Sequence, residues 1–211
     1  MEQKRQTYTV ITGASSGIGY ETAKAFAARG RNLIVAARRQ NNLEALKGEI
    51  LSSYPKLDVV VKAIDLSVVE HVYQFYDELR EYQLDTWINN AGFGNYDTVA
   101  HQELKKIEAM LRLNIEALTI LSSLFVRDYK DTEGTQLINI SSCGGYTIVP
   151  TAITYCAAKF YVSTFTEGLA RELWESGAKM RAKVLAPAAT PVSYTHLIRR
   201  NSRDKSQDRL P

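Results

Sequence analysis

Apolar residues recur along this chain in two alternating rhythms. Short β-rich runs of four to six residues alternate with longer stretches in which apolar side chains return every three or four positions. The runs at 8–11, 32–37, 59–64, 84–88, 136–140 and 180–185 read as six strands. Helices are predicted over 18–29, with Gly30 as a stop, and over 41–53, 68–82 and 154–175. Residues 104–129 read as a short helix followed by a long one. Strict alternation of strand and helix implies a parallel sheet with helices on both faces. Right-handed crossovers then give an α/β fold, a Rossmann-type doubly wound parallel sheet with strand order 3-2-1-4-5-6. Ligands in such sheets bind beyond the carboxyl ends of the strands, where strands one and four diverge. A glycine-rich turn, Asn89, Ser142 and Pro187 all follow strands directly, so they fall on that rim.

Composition narrows the picture only a little. At 211 residues the chain suits one domain with a sizeable core. Its two cysteines, Cys143 and Cys156, do not make a disulfide framework, which suggests a reducing, cytoplasmic setting. Both read as small buried hydrophobes, because a nucleophilic cysteine would want a nearby base. The three histidines show no metal-ligand spacing, so no metal is expected. No uninterrupted apolar run reaches the ~18 residues of a membrane span, so no membrane partner is expected. Of 26 basic and 23 acidic residues, five and two lie in 188–211, leaving 21 of each in the body. The net charge of +3 therefore resides in the tail. A basic tail can touch nucleic acid, but the chain lacks an aromatic platform or helix-turn-helix signal, and a solvated end is the expectation.

Three motifs carry chemistry. Gly13, Gly17 and Gly19 stand between a strand and a helix, where glycine permits a tight turn and close approach of a pyrophosphate to a helix N-terminus. At the end of the second strand, a site for NAD would place an acid against the ribose 2′-hydroxyl. Here Ala37 is followed by Arg38 and Arg39. A guanidinium pairs with a 2′-phosphate, so NADP is the expected cofactor; the alternative is a solvated arginine pair. Finally, Tyr155 and Lys159 lie four apart on a helix and face the same side, with Ser142 thirteen residues upstream. A free tyrosine has a pKa near ~10, and an ammonium one turn away lowers it. Tyr155 can then exchange a proton with a carbonyl or alcohol oxygen that Ser142 also holds.

These residues together resemble the short-chain dehydrogenase/reductase family. The resemblance runs from Thr7 to about Pro187. It rests on Thr12-Gly13-Ala14-Ser15-Ser16-Gly17-Ile18-Gly19, Asp65-Leu66, Asn89-Asn90-Ala91-Gly92, Asn114, Ser142, Tyr155 and Lys159. It implies that Ser15, Ser16 and Ile18 join the glycines at the cofactor and that Asp65 and Leu66 sit at the adenine. Asn89 would brace the sheet centre, with Asn90, Ala91 and Gly92 beside the cofactor. Lys159 would reach the nicotinamide ribose. Asn114 would hold a water leading to Lys159, and Pro187 and Thr190 would lie near the carboxamide.

The likeness changes near the C-terminal end. Pro187 is followed by Ala188 where the family has Pro-Gly, and the family's usual last helix and seventh strand are not recognisable beyond Pro191. Residues 1–191 are expected to form one dinucleotide-binding and catalytic domain, and 192–211 a basic, disordered tail of a truncated or chimeric frame. The resemblance implies an NADP-dependent oxidoreductase acting on a small carbonyl or alcohol, assembled as a homodimer or homotetramer. A non-catalytic dinucleotide-binding or interaction protein is the alternative.

Overall fold

The computed structural model describes residues 6–188, and Thr190 and the 192–211 tail lie outside the described residues. Six parallel strands form one sheet in the order β3-β2-β1-β4-β5-β6. They are β1 (Thr7–Thr12), β2 (Asn32–Ala37), β3 (Val59–Ala63), β4 (Gln83–Asn89), β5 (Gln136–Ile140) and β6 (Arg181–Leu185). The helices are α1 (Gly17–Ala27), α2 (Gln40–Ser53), α3 (Val69–Glu78), α4 (Leu104–Leu111), α5 (Leu118–Tyr129) and α6 (Ile153–Glu175). The predicted strand order is the observed one, because short strands joined through helices can close into a parallel sheet only by same-handed crossovers.

Side chains alternate across β1 and β2 into two cores. On one face Val10, Ile34 and Ala36 pack with Val72, Phe75, Leu121 and Phe125 from α3 and α5. On the other, Ile11, Leu33 and Val35 pack with Ala23, Ala27, Leu43, Leu46 and Ile50 from α1 and α2. Both faces of β1 and β2 are covered, so their sequences read as unbroken apolar runs rather than as alternation. Among the described residues β6 is the outermost strand on its side, and it exposes every second residue, with Leu185 half-exposed.

The stretch 104–129 departs from the predicted pair of helices. It is continuous, with α4 and α5 joined by a π-helical turn, Arg112–Ala117. By length and composition it could cross a membrane. Here Leu121 and Phe125 are instead buried against the sheet, as in a core helix. The π turn widens the helix around Asn114, and such turns recur at functional sites because they redirect side chains and free backbone groups.

Candidate active site

The first link at the rim is covalently local. Strand β1 ends at Thr12, and Gly13 and Gly17 take positive φ angles of 68° and 59°. A side chain at Gly13 would meet the Cα of Ala91 at 2.7 Å, so only glycine lets these two loops touch. Thr12 is a clamp that sequence reading left without a role. Its Oγ1 accepts from the backbone N–H of Asn90 and of Ala91, each at 3.0 Å. Asn90 in turn donates through Nδ2 to the carbonyls of Thr12 and Gly13 at 2.9 and 3.2 Å. The loops after β1 and β4 are thereby locked where the strand order reverses.

Beside this lock lies a cleft of about 380 Å³. Gly13, Ser15, Ser16, Gly17 and Ile18 line one side; Arg38, Arg39, Asp65 and Leu66 line another; Asn90, Ala91 and Gly92 close it. Nearly every expected cofactor residue from the first half of the chain is present. Gly19 is the exception, and it acts beneath the cleft: a Cβ there would fall 2.5 Å from the Gly13 carbonyl oxygen and 2.4 Å from Asn90 Nδ2. It packs α1 onto the clamp. Phe93, Ile64 and Leu113 are additional lining residues with no motif to announce them.

A dinucleotide fits these residues. The first residues of α1, Gly17 and Ile18, line the cleft, and Ser16 does not cap them with its side chain, an arrangement suited to an anion at the helix N-terminus. Arg39 donates to Ser15 Oγ at 3.0 Å and Ser16 Oγ at 2.7 Å, drawing the β2 end onto the turn. Arg38 is 68% exposed and stands 4.0 Å from Asp65 Oδ2, a weak pairing that leaves its charge available. Burial pushes the Asp65 carboxyl up, but the Ser67 N–H and O–H, with Arg38, hold it below its ordinary range.

The second group of residues converges next to Gly92. Helix α6 presents Tyr155 and Lys159, both buried. The Lys159 ammonium lies 5.9 Å from the centre of the Tyr155 ring and donates to the Ile140 carbonyl at 2.8 Å. Burial pulls its pKa down to about 8. A Cβ at Gly92 would be 2.9 Å from Asn114 Oδ1 and 3.8 Å from Lys159 Nζ, so glycine keeps this corner open. Asn114, 1% exposed, donates to the Phe93 carbonyl at 2.9 Å and accepts from the Phe93 N–H at 3.1 Å. Its side chain is thus a brace on the loop after β4.

Ser142 caps a short 3-10 turn, Cys143–Gly145, its Oγ accepting from the Gly144 N–H at 3.1 Å. A methyl group added at Gly144 would lie 3.6 Å from both Ser142 Oγ and Tyr155 Cε1, so serine and phenol ring share the space beside that glycine. Pro187 reaches the same turn, its carbonyl accepting from the Cys143 N–H at 3.0 Å. Cys156 is buried as expected, but Cys143 is exposed, because the 3-10 turn carries it outward. Behind the site, Asn89 Nδ2 donates to Ser122 Oγ and Asn139 Oδ1, and Asn139 Nδ2 donates to Thr166 Oγ1. That buried network joins β4, β5, α5 and α6, the elements from which the site is built. Among the described residues no cluster of His, Cys, Asp or Glu could hold a metal.

A parallel sheet of this order, with a glycine turn at its switch point and this cluster at its rim, is a Rossmann-type dinucleotide-binding domain. The family model described as short chain dehydrogenase matches residues 7–203, reaching beyond Pro191, and the chain belongs to that family. Human dehydrogenase/reductase SDR family member 11 is 30% identical over 200 residues, covering 92% of this chain and 77% of the relative. A short-chain dehydrogenase from Sphingobium yanoikuyae, solved with NADPH, is 31% identical with a TM-score of 0.82, covering 88% of this chain and 72% of that one. A bulky-bulky ketone specific alcohol dehydrogenase from Comamonas testosteroni is 28% identical with a TM-score of 0.82, covering 88% and 74%.

Proposed function

We propose that this chain is an oxidoreductase that moves hydride between NADP(H) and a carbonyl or alcohol substrate. The observation that carries this reading is that Ser142 and Tyr155 meet beside Gly144, while Lys159 lies 5.9 Å from the Tyr155 ring centre and 3.8 Å from where a Cβ would stand on Gly92, a residue of the cleft. A nicotinamide dinucleotide held in the cleft would supply or accept the hydride. Tyr155 donates its phenolic proton to the carbonyl oxygen, or takes it back from the alcohol. Ser142 Oγ hydrogen-bonds the same oxygen and fixes its position. Lys159 keeps most of its charge at pH 7, one unit below its lowered pKa of about 8, and so favours the phenolate form of its neighbour. Asn114 holds the Phe93 backbone that borders the corner.

For the cofactor, Gly13, Gly17 and the uncapped α1 N-terminus receive the pyrophosphate. Arg38 would take the 2′-phosphate, Asp65 and Leu66 would border the adenine, Asn90, Ala91 and Gly92 would lie beside the cofactor, and Lys159 would reach the nicotinamide ribose. The ketone-specific enzyme and the NADPH-bound dehydrogenase support the substrate class and the cofactor choice. Replacement of Tyr155 by phenylalanine is the decisive test. NADPH oxidation against a panel of ketones and aldehydes should fall to background while NADPH binding, followed by fluorescence, persists. Turnover retained in Tyr155→Phe would remove the phenol from the reaction. Cofactor binding without turnover by the parent chain would favour a non-catalytic dinucleotide-binding protein.

A further inference from the structure

The loop after β4 brings a second tyrosine to the proton donor. The Tyr96 and Tyr155 rings lie 5.8 Å apart at 45°, within the range of a favourable aromatic pair. The approach depends on Gly94. A Cβ there would sit 2.6 Å from Tyr96 Cε2 and 2.7 Å from its hydroxyl, so the ring lies on bare backbone. The loop is also tied to the helix that carries Tyr155. Gln102, 7% exposed, donates to the Asp97 carbonyl at 2.7 Å and accepts from Thr154 Oγ1 at 2.8 Å. Thr154 is the residue before Tyr155. One buried amide thereby fixes the spacing between the segment bearing Tyr96 and the start of α6.

The segment leading into α6 is uncharged and partly apolar. Residues 143–153, which connect Ser142 to α6, contain no charged side chain. Ile148, Val149 and Ile153 in that segment are exposed, Ile148 at 74%. The loop 93–103 carries Asp97 and Glu103 but no lysine or arginine. Neither loop offers a lysine or arginine for a carboxylate or phosphate on the substrate, and His101 is engaged by Thr98 Oγ1 at 2.7 Å.

We propose that Tyr96 is a specificity-determining residue: its ring, laid on Gly94 and against Tyr155, forms an aromatic wall that selects uncharged ketones bearing a flat ring next to the carbonyl. This rests on the carbonyl reading of the site. A flat ring slides along the Tyr96 face while its carbonyl meets Tyr155, whereas a puckered saturated ring of similar size loses that stacking. Aromatic pairing of the usual strength corresponds to a preference of about fivefold.

The test compares acetophenone with cyclohexyl methyl ketone, which differ in ring flatness. Binding to the full chain with saturating NADP+ is measured by saturation-transfer NMR titration, where no reduction can occur. NADPH oxidation is followed separately. The parent should bind acetophenone about fivefold more tightly, Tyr96→Phe should keep that ratio, and Tyr96→Leu should bring it close to one. Gly94→Ala, which displaces the ring without removing it, should also lower the ratio. Circular dichroism confirms that each variant folds, and the isolated ratio in Tyr96→Leu and Gly94→Ala gives two independent readings. Equal binding of the two ketones by the parent, an unchanged ratio in both variants, or no binding of either ketone overturns the proposal. Tyr96-dependent binding without NADPH oxidation overturns the oxidoreductase reading and leaves the aromatic wall standing.

Discussion

Replacing Lys159 with methionine should change how stability varies with pH more than it changes stability at any one pH. The ammonium is buried, and desolvation lowers its pKa from 10.5 to about 8. In the unfolded chain it titrates at its ordinary value, so between pH 8 and 10.5 the unfolded state holds the extra proton. Stability therefore rises with pH across that window, and the penalty is complete only below pH 8. At about 1.4 kcal/mol per unit, the penalty amounts to roughly 3 kcal/mol at pH 7 and under about 1 kcal/mol at pH 10. Methionine removes it but forfeits the 2.8 Å hydrogen bond to the Ile140 carbonyl, a loss of about 1–3 kcal/mol for a buried acceptor left unpaired. At pH 7 the two terms nearly offset, and the variant should match the parent within about 2 kcal/mol. At pH 10 the lost bond outweighs what is left of the penalty. The difference between variant and parent should thus shift against the variant by roughly 2–3 kcal/mol from pH 7 to pH 10. Other groups that titrate there, such as Tyr8, pushed up to about 12 by burial and Asp58, occur in both chains and cancel. Urea unfolding of both proteins without cofactor, followed by circular dichroism at pH 7, 8, 9 and 10, measures this directly. A pH-independent difference would refute the claim that folding desolvates a charged lysine.

The remaining expectations concern the cofactor end and the surface. Gly19→Ala should lower the melting temperature by several degrees, about 1–3 kcal/mol, because the rigid Gly13 carbonyl lies 2.5 Å from the new methyl group; an unchanged melt would show that α1 can yield. Arg38→Ala should weaken NADPH by about 1–3 kcal/mol and leave NADH nearly unchanged, in a fluorescence titration. Arg39→Ala should weaken both cofactors alike, since Arg39 contacts the turn serines themselves; equal losses in Arg38→Ala would show that it does not read the phosphate. Phe160 and Tyr161 on α6 and Leu104 on α4 are solvent-exposed, Leu104 at 73%, and light scattering at micromolar concentration should find a homodimer or homotetramer that covers them.

The sequence by itself determined the fold and the chemistry-bearing motifs. Periodicity distinguished strand from helix because burial on both faces and burial along one stripe leave different spacings, and β2 and β5 were legible to the residue. Alternation then dictated the strand order, and the order dictated which loops share a rim. Glycine positions were readable because their requirement is local: a positive φ or a missing Cβ is a property of one residue. What only the tertiary structure decided are the pairings between segments far apart in sequence. Thr12 with Asn90, Asn114 with Phe93, Gln102 with Thr154 and Tyr96 with Tyr155 each join residues with no mutual signature in the chain. The π turn around Asn114 was likewise invisible, because a single extra residue per turn hardly disturbs apolar spacing. Cys143 read as a buried hydrophobe and is exposed, since a three-residue turn, not composition, sets its direction. Local rules fix which elements form and place their ends to within a few residues, as α3 shows by stopping at Glu78 rather than at 82; the geometry of a site arises when packing brings those ends together, and a linear pattern does not record it.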